Sequence, residues 1–377
     1  MTLTQLKNKG GDKTWYNTLT RVLSIMAAFI LFLVAFELMT MAIGALGKDY
    51  TRNLITATSN PFIALFIGML VTAIVQSSST VTAVVVAMAG TGTINYTDAV
   101  PIIMGANIGT TITSTLVSLG YIGSKNMFRK AIAAASLHDF FNLFTALVLF
   151  PLEYLTKSLS GLSETIANNI FPNMGNNTTI NVHHVDFVSS IFKYFGINPA
   201  NYLWPIGILS VVLLLLALKA ISSLSKKWLQ SKRERENLEL FFFNTPVKSL
   251  VSGLLLTASV QSSSLTSSLI VPLVATNKVT LPKAFNFLIG ANVGTTVTAL
   301  IAALSTNSHA AIVIAIAHLL FNIFGLLLFI TPLSRLPQWY ATTLSNLVSQ
   351  NRIFGFYYLL AFYFVIPFLL ILIDKVL

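Results

Sequence analysis

The amino-acid sequence predicts an all-α integral membrane protein, a polytopic helical bundle. Of its 377 residues, 55% are hydrophobic and only 9% are charged. Apolar runs near the roughly 20 residues that a helix needs to cross a bilayer lie at 22–46, 127–152, 203–221, 310–330 and 353–373. A further observation is a pair of polar motifs that occurs twice, at matched spacing, in apolar surroundings. The composition excludes a soluble enzyme, and the lack of cysteine excludes disulfides and cysteine-ligated metal.

The formal net charge of +11 could indicate nucleic-acid binding, but the basic residues are placed as membrane topology requires. Basic loops stay in the cytoplasm. Basic clusters flank the first three runs at Lys7, Lys9, Lys13, Arg21, Lys125, Arg129, Lys130, Lys219, Lys226, Lys227, Lys232, Arg233 and Arg235. Segment 153–200 holds only Lys157 and Lys193 and is predicted as the main outer loop. We expect a multi-pass protein of the plasma (inner) membrane, partnered by lipid and not by nucleic acid, with a cytoplasmic amino terminus.

The most informative feature is the tetrapeptide Gln-Ser-Ser-Ser, which occurs at 76–79 and again at 261–264. Each copy is followed at the same distance by a Gly-Ala-Asn-x-Gly-Thr-Thr segment, at 105–111 and at 290–296. A bilayer core offers no water to amides or hydroxyls, so these groups must satisfy one another or hold something polar. We interpret the four segments as the lining of one site for an ion and a solute.

The first Gln-Ser-Ser-Ser motif is predicted at the tip of a re-entrant helical hairpin. Its arms, 61–75 and 80–90, rise about 1.5 Å per residue, so neither crosses a hydrocarbon core of about 30 Å. Together they fold back at mid-membrane, where non-helical backbone is tolerated only if it is buried in protein or lines a cavity. Residues 99–123 are long enough to cross, but their glycines and polar residues predict a broken helix.

The second half repeats this order, with a hairpin at 243–276 and an interrupted crossing at 284–304. The turn after the first hairpin holds Asp98 and no base, whereas the turn after the second holds Lys278 and Lys283. Because basic turns favour the cytoplasm, one hairpin should enter from outside and the other from inside. The halves are therefore predicted as inverted repeats around a midplane site, an arrangement typical of secondary transporters.

This reading divides the chain into six parts. They are a cytoplasmic amino terminus with the first transmembrane helix (1–60), the first repeat (61–152), the outer loop (153–202), a transmembrane helix with a basic cytoplasmic connector (203–242), the second, inverted repeat (243–333), and a connector with the last transmembrane helix (334–377).

The motifs offer two kinds of binding group. Sodium is a hard cation suited to hydroxyl, amide and backbone carbonyl oxygens, and an oxyanion suits hydroxyl donors at a helix N-terminus. No Arg or Lys lies near any motif along the sequence. A divalent anion would then enter an uncompensated pocket, at a cost of several kcal/mol per charge. Co-bound cations would remove most of that cost, which couples the two ligands.

Paired QSSS motifs, each followed by GANxGT, resemble the type II sodium-dependent phosphate cotransporter family over roughly 60–152 and 243–333. The short tails are similar to those of a bacterial member. The resemblance implies import of inorganic phosphate, as the dianion, with sodium by alternating access. It implies phosphate contacts at Gln76, Ser77, Ser78, Gln261, Ser262 and Ser263, and sodium contacts at Ser79, Asn107, Thr110, Thr111, Ser264, Asn292, Thr295 and Thr296. Sodium would be a co-transported ligand, and no cofactor is implied.

One departure from that family concerns the number of sodium ions. Electrogenic members carry an Asp near the end of the arm after the first QSSS, where this chain reads Met-Ala-Gly-Thr-Gly at 88–92. We therefore expect two sodium ions per phosphate. Neutral donors bind any small oxyanion, so a sodium-coupled carrier of sulfate or carboxylate is the main alternative, followed by an ion channel. An enzyme is not expected, because His138 and Asp139 are neighbours that point about 100° apart on a helix.

Structural roles compete for several of these residues. Ser and Thr in membrane helices often bond to the i−4 carbonyl. The motif glycines Gly105, Gly109, Gly290 and Gly294 could serve close packing alone. Two pairs lie one helical turn apart and are expected to brace the broken helix by hydrogen bonds, namely His138 with Asn142 and His318 with Asn322. Glu37 in the first span is expected to point to the outer interface.

Overall fold

The computed structural model describes residues 3–44, 58–172, 187–229, 242–330, 333, 335–351 and 353–376. Within these ranges the regular structure is entirely helical, which confirms the predicted all-α class. Seven described segments are long and apolar enough to cross a membrane: Met26–Ile43, Tyr96–Leu119, Lys125–Thr156, Leu203–Ala220, Leu281–Leu304, His309–Phe329 and Ile353–Leu372. Most of the predicted basic connector and the middle of the predicted outer loop, at 230–241 and 173–186, lie outside the described residues.

The described residues form a series of α-helices along the chain. Their bounds are Leu3–Gly44, Pro61–Val75, Ser78–Gly90, Tyr96–Gly109, Ile112–Leu119, Lys125–Thr156, Ser158–Ile170, Phe187–Tyr194, Leu203–Leu229, Pro246–Val260, Ser263–Ala275, Leu281–Leu304, His309–Ile330, Arg335–Gln350, Ile353–Leu360 and Ile366–Val376, with a 3₁₀ turn at Pro199–Tyr202 and a π-helical turn at Ala361–Val365.

Two pairs of short helices form hairpins. The first hairpin consists of Pro61–Val75 and Ser78–Gly90, and the second of Pro246–Val260 and Ser263–Ala275. Both begin with a side-chain N-cap followed by proline at the first helical position, which suits the missing amide of proline. At 13 and 15 residues, each arm is shorter than a membrane span, as predicted. The side from which each hairpin enters a bilayer stays a prediction.

The entry arm of each hairpin packs closely on the helix that follows the hairpin. We call Tyr96–Leu119 the first crossing and Leu281–Leu304 the second crossing. An ideal Cβ built on Gly105 would lie 1.8 Å from the carbonyl oxygen of Leu65, and one on Gly290 would lie 1.9 Å from that of Leu250. Gly109 and Gly294 make similar contacts with their entry arms. The motif glycines are therefore close-packing residues, and the same contacts occur at equivalent positions of both repeats.

The prediction that both crossings are broken is wrong for the second. Residues Leu281–Leu304 form one continuous helix. In the first crossing the helix is interrupted only at Thr110 and Thr111, and both keep right-handed helical dihedral angles. The amide of Thr111 bonds to the carbonyl of Ile108, three residues back, so the turn is tightened and not unwound. Glycines can satisfy packing and threonines can bond to their own helix, so neither residue type required an unwound segment here.

Each return arm packs against the other half of the chain. The return arm Ser78–Gly90 contacts the second crossing and the helix His309–Ile330, and Ser263–Ala275 contacts Ile112–Leu119 of the first crossing. The largest buried cluster joins that first return arm, at Val85 and Val86, to Phe32 and Phe36 of the first helix. This exchange of arms brings the two hairpin tips to one place.

Candidate functional site at the two hairpin tips

The two Gln-Ser-Ser-Ser tips are hydrogen-bonded to each other. The Ser79 hydroxyl donates to the carbonyl oxygen of Gln261 at 3.0 Å, and the Ser264 hydroxyl donates to the carbonyl oxygen of Gln76 at 3.3 Å. Each serine thus bonds to the glutamine of the opposite repeat. Motifs from the two halves of the sequence form one reciprocal contact, as expected if they line a common site.

Both tips share an unusual backbone. Gln76 and Gln261 adopt the left-handed backbone conformation, with φ of 57° and 52°. Each caps its entry arm with its backbone N–H, which donates to a threonine carbonyl. The next residues, Ser77 and Ser262, accept hydrogen bonds from amides of their return arms. A left-handed glutamine costs about 1–2 kcal/mol relative to ordinary helical backbone. The turn points the N-terminus of each 13-residue return arm, with its positive dipole end, toward the shared space.

A cavity of about 750 Å³ opens beside the joined tips. Its wall contains four of the six predicted phosphate residues and one predicted sodium residue: Gln76, Ser77, Gln261, Ser262 and Ser264. Further polar wall residues are Thr80, Thr113 and Ser268. Gln261 is only 8% exposed, and its Oε1 atom is buried without a hydrogen-bond partner in the described structure. A buried, unpaired amide oxygen beside a cavity is a group that a ligand or a water can satisfy.

The other predicted site residues lie behind this wall. Ser78 and Ser263 are the first residues of the return arms and are buried, at 4% and 2% exposure. Among the described residues that line the cavity, the Asn-x-Gly-Thr-Thr side chains do not occur. The structure therefore brings the serine-rich tips together around one space, and it buries Asn107, Thr110, Thr111, Asn292, Thr295 and Thr296 away from the cavity wall.

The two motif asparagines tie the repeats together. The His138 Nε2 atom donates to Asn292 Oδ1 at 2.7 Å, and the Asn292 amide donates to Asn142 Oδ1 at 2.6 Å. On the other side, Asn107 Oδ1 faces His318 Nε2 at 3.3 Å and Asn322 Nδ2 at 3.5 Å. The hydrogen bonds that the predicted bracing role requires are present, although the second crossing that they reach is not broken. Sequence reasoning did not foresee that each pair braces the asparagine of the opposite repeat.

The motif threonines bond to their own helices. The hydroxyls of Thr110 and Thr295 donate to the carbonyls four residues back, at 2.8 and 3.0 Å, and those of Thr111 and Thr296 lie near carbonyls three residues back. A hydroxyl that donates its proton keeps its oxygen lone pairs. Each oxygen can still accept a cation, so the geometry is compatible with both a structural and a ligand role.

Sequence reasoning missed one charged residue at the cavity. Lys219, on the helix Leu203–Leu229, lies on the cavity wall with Leu215 and Leu218 of the same helix. The expectation that Arg and Lys are remote from every motif is therefore wrong in space. Lys219 follows an apolar run, a position that predicts only the cytoplasmic end of a span, and its place on the same cavity wall as the tips depends on packing between segments that are distant in sequence. The cavity holds a cationic group from outside both repeats.

Two carboxylates in the spans also have defined partners. Glu37 accepts the amide of Val188 at 3.0 and 3.1 Å, near the start of the helix Phe187–Tyr194. Asp139 is 1% exposed and accepts from tyrosine hydroxyls, whereas its neighbour His138 bonds to Asn292. His138 and Asp139 thus point to different groups, as expected, and these contacts contain no Ser-His-Asp arrangement.

With this geometry in place, comparison with known families is informative. The family described as Na+/Pi-cotransporter matches residues 31–178 and 213–331, which cover most of the chain and contain both tips. The chain belongs to the Na+/Pi-cotransporter family. Its membership explains why the paired motifs recur at one spacing and meet in space.

Similar proteins carry names that agree with the Na+/Pi-cotransporter family. The sodium-dependent phosphate transport protein 2B of Homo sapiens is 29% identical over 95% of this chain. The sodium-dependent phosphate transport proteins 2A of Ovis aries and Oryctolagus cuniculus are 29% and 30% identical over 93% and 92% of this chain. The chain spans 66% of the human protein, 67% of the sheep protein and 66% of the rabbit protein. No solved structure matches the chain.

Proposed function

We propose that this protein is a secondary active transporter that imports inorganic phosphate, as the dianion, together with sodium. The observation that carries the proposal is the reciprocal contact of the two tips beside one cavity, from halves of the chain related by the sequence repeat. The names of the similar proteins supply the ligands, and family membership supports their transfer. We place the protein in the plasma (inner) membrane, with its amino terminus in the cytoplasm.

Phosphate binding is assigned to the tips. Their hydroxyls and amides are hydrogen-bond donors, and two helix N-termini face the same space, which suits an oxyanion. The assigned residues are Gln76, Ser77, Ser78, Gln261, Ser262 and Ser263. Lys219 adds a positive charge on the wall, so phosphate does not depend on sodium alone for charge compensation.

Sodium binding is assigned to one serine of each tip and to the buried side chains of the two Asn-x-Gly-Thr-Thr segments. Neutral hydroxyl, amide and carbonyl oxygens, which these residues supply, are the ligands that a hard monovalent cation prefers. The assigned residues are Ser79, Asn107, Thr110, Thr111, Ser264, Asn292, Thr295 and Thr296. Alternating access would follow from movement of the hairpins past each other, with the tips as the point of closure.

Uptake of labelled phosphate into proteoliposomes tests this function. We expect uptake to require an inward sodium gradient, to saturate with phosphate, and to be inhibited little by sulfate or small carboxylates. Replacing sodium by potassium should reduce uptake to the level of protein-free vesicles. Sodium-independent uptake would contradict the proposal, and uptake that continues to rise linearly with phosphate would favour a channel.

The same vesicles report the stoichiometry. Two sodium ions together with one phosphate dianion carry no net charge. Transport measured electrically should therefore give no current at any voltage. Each net charge moved would be worth about 2.3 kcal/mol per 100 mV. A clear inward current with phosphate and sodium present would refute the two-sodium stoichiometry and leave the substrate assignment intact.

Lys219 gives a second, more local prediction. Lys219→Met should raise the phosphate concentration for half-maximal uptake on the order of threefold to tenfold, because a partly screened charge near the dianion is removed. Lys219→Arg should restore it. Lys248→Met is the matched control, since Lys248 is exposed on the second hairpin and is not part of the cavity wall. Equal phosphate affinity in Lys219→Met and wild type would remove Lys219 from the site.

A further inference from the structure

A carboxylate is buried in the spans among neutral hydrogen-bond donors. Asp139 lies in the helix Lys125–Thr156 and is 1% exposed. In the described part of the chain its oxygens accept from the hydroxyls of Tyr363 at 2.6 Å, Tyr358 at 2.9 Å and Thr115 at 3.4 Å. Ionisable residues inside a membrane protein are costly and usually mark a functional site. The hydrogen bonds between the tips and those of Asn107 and Asn292 do not involve this carboxylate, so its role needs a separate explanation.

One of these partners connects Asp139 to the first Gly-Ala-Asn-Ile-Gly-Thr-Thr segment. The Tyr363 hydroxyl lies 2.5 Å from the hydroxyl of Thr111. An ionised carboxylate only accepts, and a tyrosine hydroxyl has a single proton. Because Tyr363 gives that proton to Asp139, the proton of the short Thr111–Tyr363 contact comes from Thr111, whose hydroxyl otherwise donates to the carbonyl of Ile108 at 2.9 Å. The result is a directed chain from Thr111 through Tyr363 to Asp139.

This chain changes the properties of the Thr111 oxygen. Its proton is held toward Tyr363, so its lone pairs are directed away from that bond and remain available. Successive hydrogen bonds that end on an anion polarise one another, which increases the electron density on the first oxygen. An oxygen so oriented and polarised is a better ligand for a hard cation, in the way that outer groups tune metal ligands.

The backbone is irregular around Tyr363, the residue that contacts both Asp139 and Thr111. Residues Ala361–Val365 form a π-helical turn within the last apolar segment, and Tyr363, at its centre, is fully buried. Single π-helical turns inside α-helices occur frequently at functional sites. Here the turn presents Tyr363 to both Asp139 and Thr111.

The described part of the second repeat does not contain an equivalent chain. Thr296, the counterpart of Thr111, donates to the carbonyl of Val293 at 2.7 Å, as Thr111 can to Ile108 at 2.9 Å, but among the described residues only Thr111 of the two contacts a tyrosine hydroxyl. The alignment that pairs His138 with His318 places Leu319 where the first repeat has Asp139. The two Asn-x-Gly-Thr-Thr segments therefore differ in nearby charge, although their backbone contacts match.

We propose that Asp139, acting through Tyr363, is a positioning residue that orients and polarises Thr111 as the ligand of one sodium ion. The inference rests on the proposed function. It makes the two cation sites unequal: the site at the first segment is assisted by a fixed negative charge, and the site at the second is built from neutral oxygens. Sodium should therefore bind more tightly at the first segment.

The test compares two tyrosines that bond to the same carboxylate. Tyr363→Phe removes the connection to Thr111, whereas Tyr358→Phe removes a hydroxyl that bonds to Asp139 but not to Thr111. In Tyr363→Phe the sodium concentration for half-maximal uptake should rise on the order of tenfold, and the phosphate half-saturation measured at saturating sodium should not change. In Tyr358→Phe both values should stay within about twofold of wild type.

A binding readout removes dependence on transport. Sodium chloride titrated into purified protein without phosphate should raise the melting temperature, because a ligand of the native state stabilises it. The midpoint of that titration should move to higher sodium in Tyr363→Phe and Asp139→Asn, but not in Tyr358→Phe. Asp139→Asn keeps the side-chain shape and removes the charge, so it serves if Tyr363→Phe does not fold.

The outcomes separate the inference from the function on which it rests. Equal sodium midpoints in Tyr363→Phe, Asp139→Asn and Tyr358→Phe would overturn the role of the chain, as would equal shifts in the sodium and phosphate half-saturation values of Tyr363→Phe. Wild-type uptake that needs no sodium would instead overturn the proposed function.

Discussion

Changing Gly105 or Gly290 to alanine should prevent the protein from folding into its monodisperse form. The added Cβ would lie 1.8 or 1.9 Å from a backbone carbonyl oxygen of the entry arm, and backbone atoms cannot rotate away as a side chain can. Overpacking that forces the backbone to shift costs about 1–3 kcal/mol, occasionally more, and a Cβ this close to backbone atoms places these variants at the upper end. The entry arm would separate from its crossing, and the tip that it carries would be displaced. Melting temperature and elution profile in detergent would measure the loss.

Gly161→Ala is the matched control for these variants. Gly161 lies within the helix Ser158–Ile170, and an ideal Cβ there meets nothing within 4 Å. Alanine in a helix interior is favoured over glycine by roughly 0.5–1 kcal/mol, so this variant should be as stable as wild type or slightly more stable. Wild-type stability in both Gly105→Ala and Gly290→Ala would show that the entry arms are not held as closely as described.

Removing the amide of Gln261 should strongly impair phosphate uptake. The side chain lines the cavity and is 8% exposed; its NH2 group can donate to a phosphate oxygen, and its unpaired Oε1 can accept from the hydroxyl of hydrogen phosphate. A hydrogen bond to a charged group contributes about 1.5–3 kcal/mol, which corresponds to roughly a 10- to 100-fold higher phosphate half-saturation in Gln261→Ala. Gln76→Ala should act in the same direction. Initial rates of labelled uptake over a range of phosphate concentrations measure the effect.

A glycine variant separates binding from backbone strain. Gln261 is left-handed, and glycine adopts that conformation without penalty. If the Gln261 side chain served only the turn, the Gln261→Gly variant would keep wild-type uptake and be at least as stable as wild type. If the side chain binds phosphate, Gln261→Gly must lose uptake as Gln261→Ala does. Gln350→Ala, at an exposed site on the helix Arg335–Gln350, controls for the loss of an amide elsewhere. Full activity in Gln76→Ala and Gln261→Ala would refute the assignment of phosphate to the tips.

Much of this architecture was predictable because it depends on local pattern. The arms of the hairpins are too short to cross, and the matched motifs at 76–79 and 261–264 indicate that both tips share one environment. Buried polar groups need partners, so the mutual hydrogen bonding of Ser79 and Ser264 with the opposite tip follows from the same argument.

Other features depend on contacts that no single segment encodes. The continuous second crossing could not be distinguished from a broken one, because glycines serve close packing and unwinding equally well in a sequence. Lys219 lies on the cavity wall but belongs to a helix outside both repeats. Tyr363 donates a hydrogen bond to Asp139 but belongs to the last apolar segment of the chain. In the second case the π-helical turn changes the face on which Tyr363 lies, so helical periodicity alone would misplace it.

The hydrogen bonds between the two tips are weak because of their chemistry. Two neutral hydroxyl-to-carbonyl bonds join the tips, each with a net contribution of about 0.5–1.5 kcal/mol, and neither bond involves a charged group. These two bonds can break by thermal motion on the microsecond-to-millisecond scale of collective domain movements. The close packing of each entry arm on its crossing would not have to change. Separation of the two tips from each other therefore breaks two hydrogen bonds and does not require either hairpin to unfold.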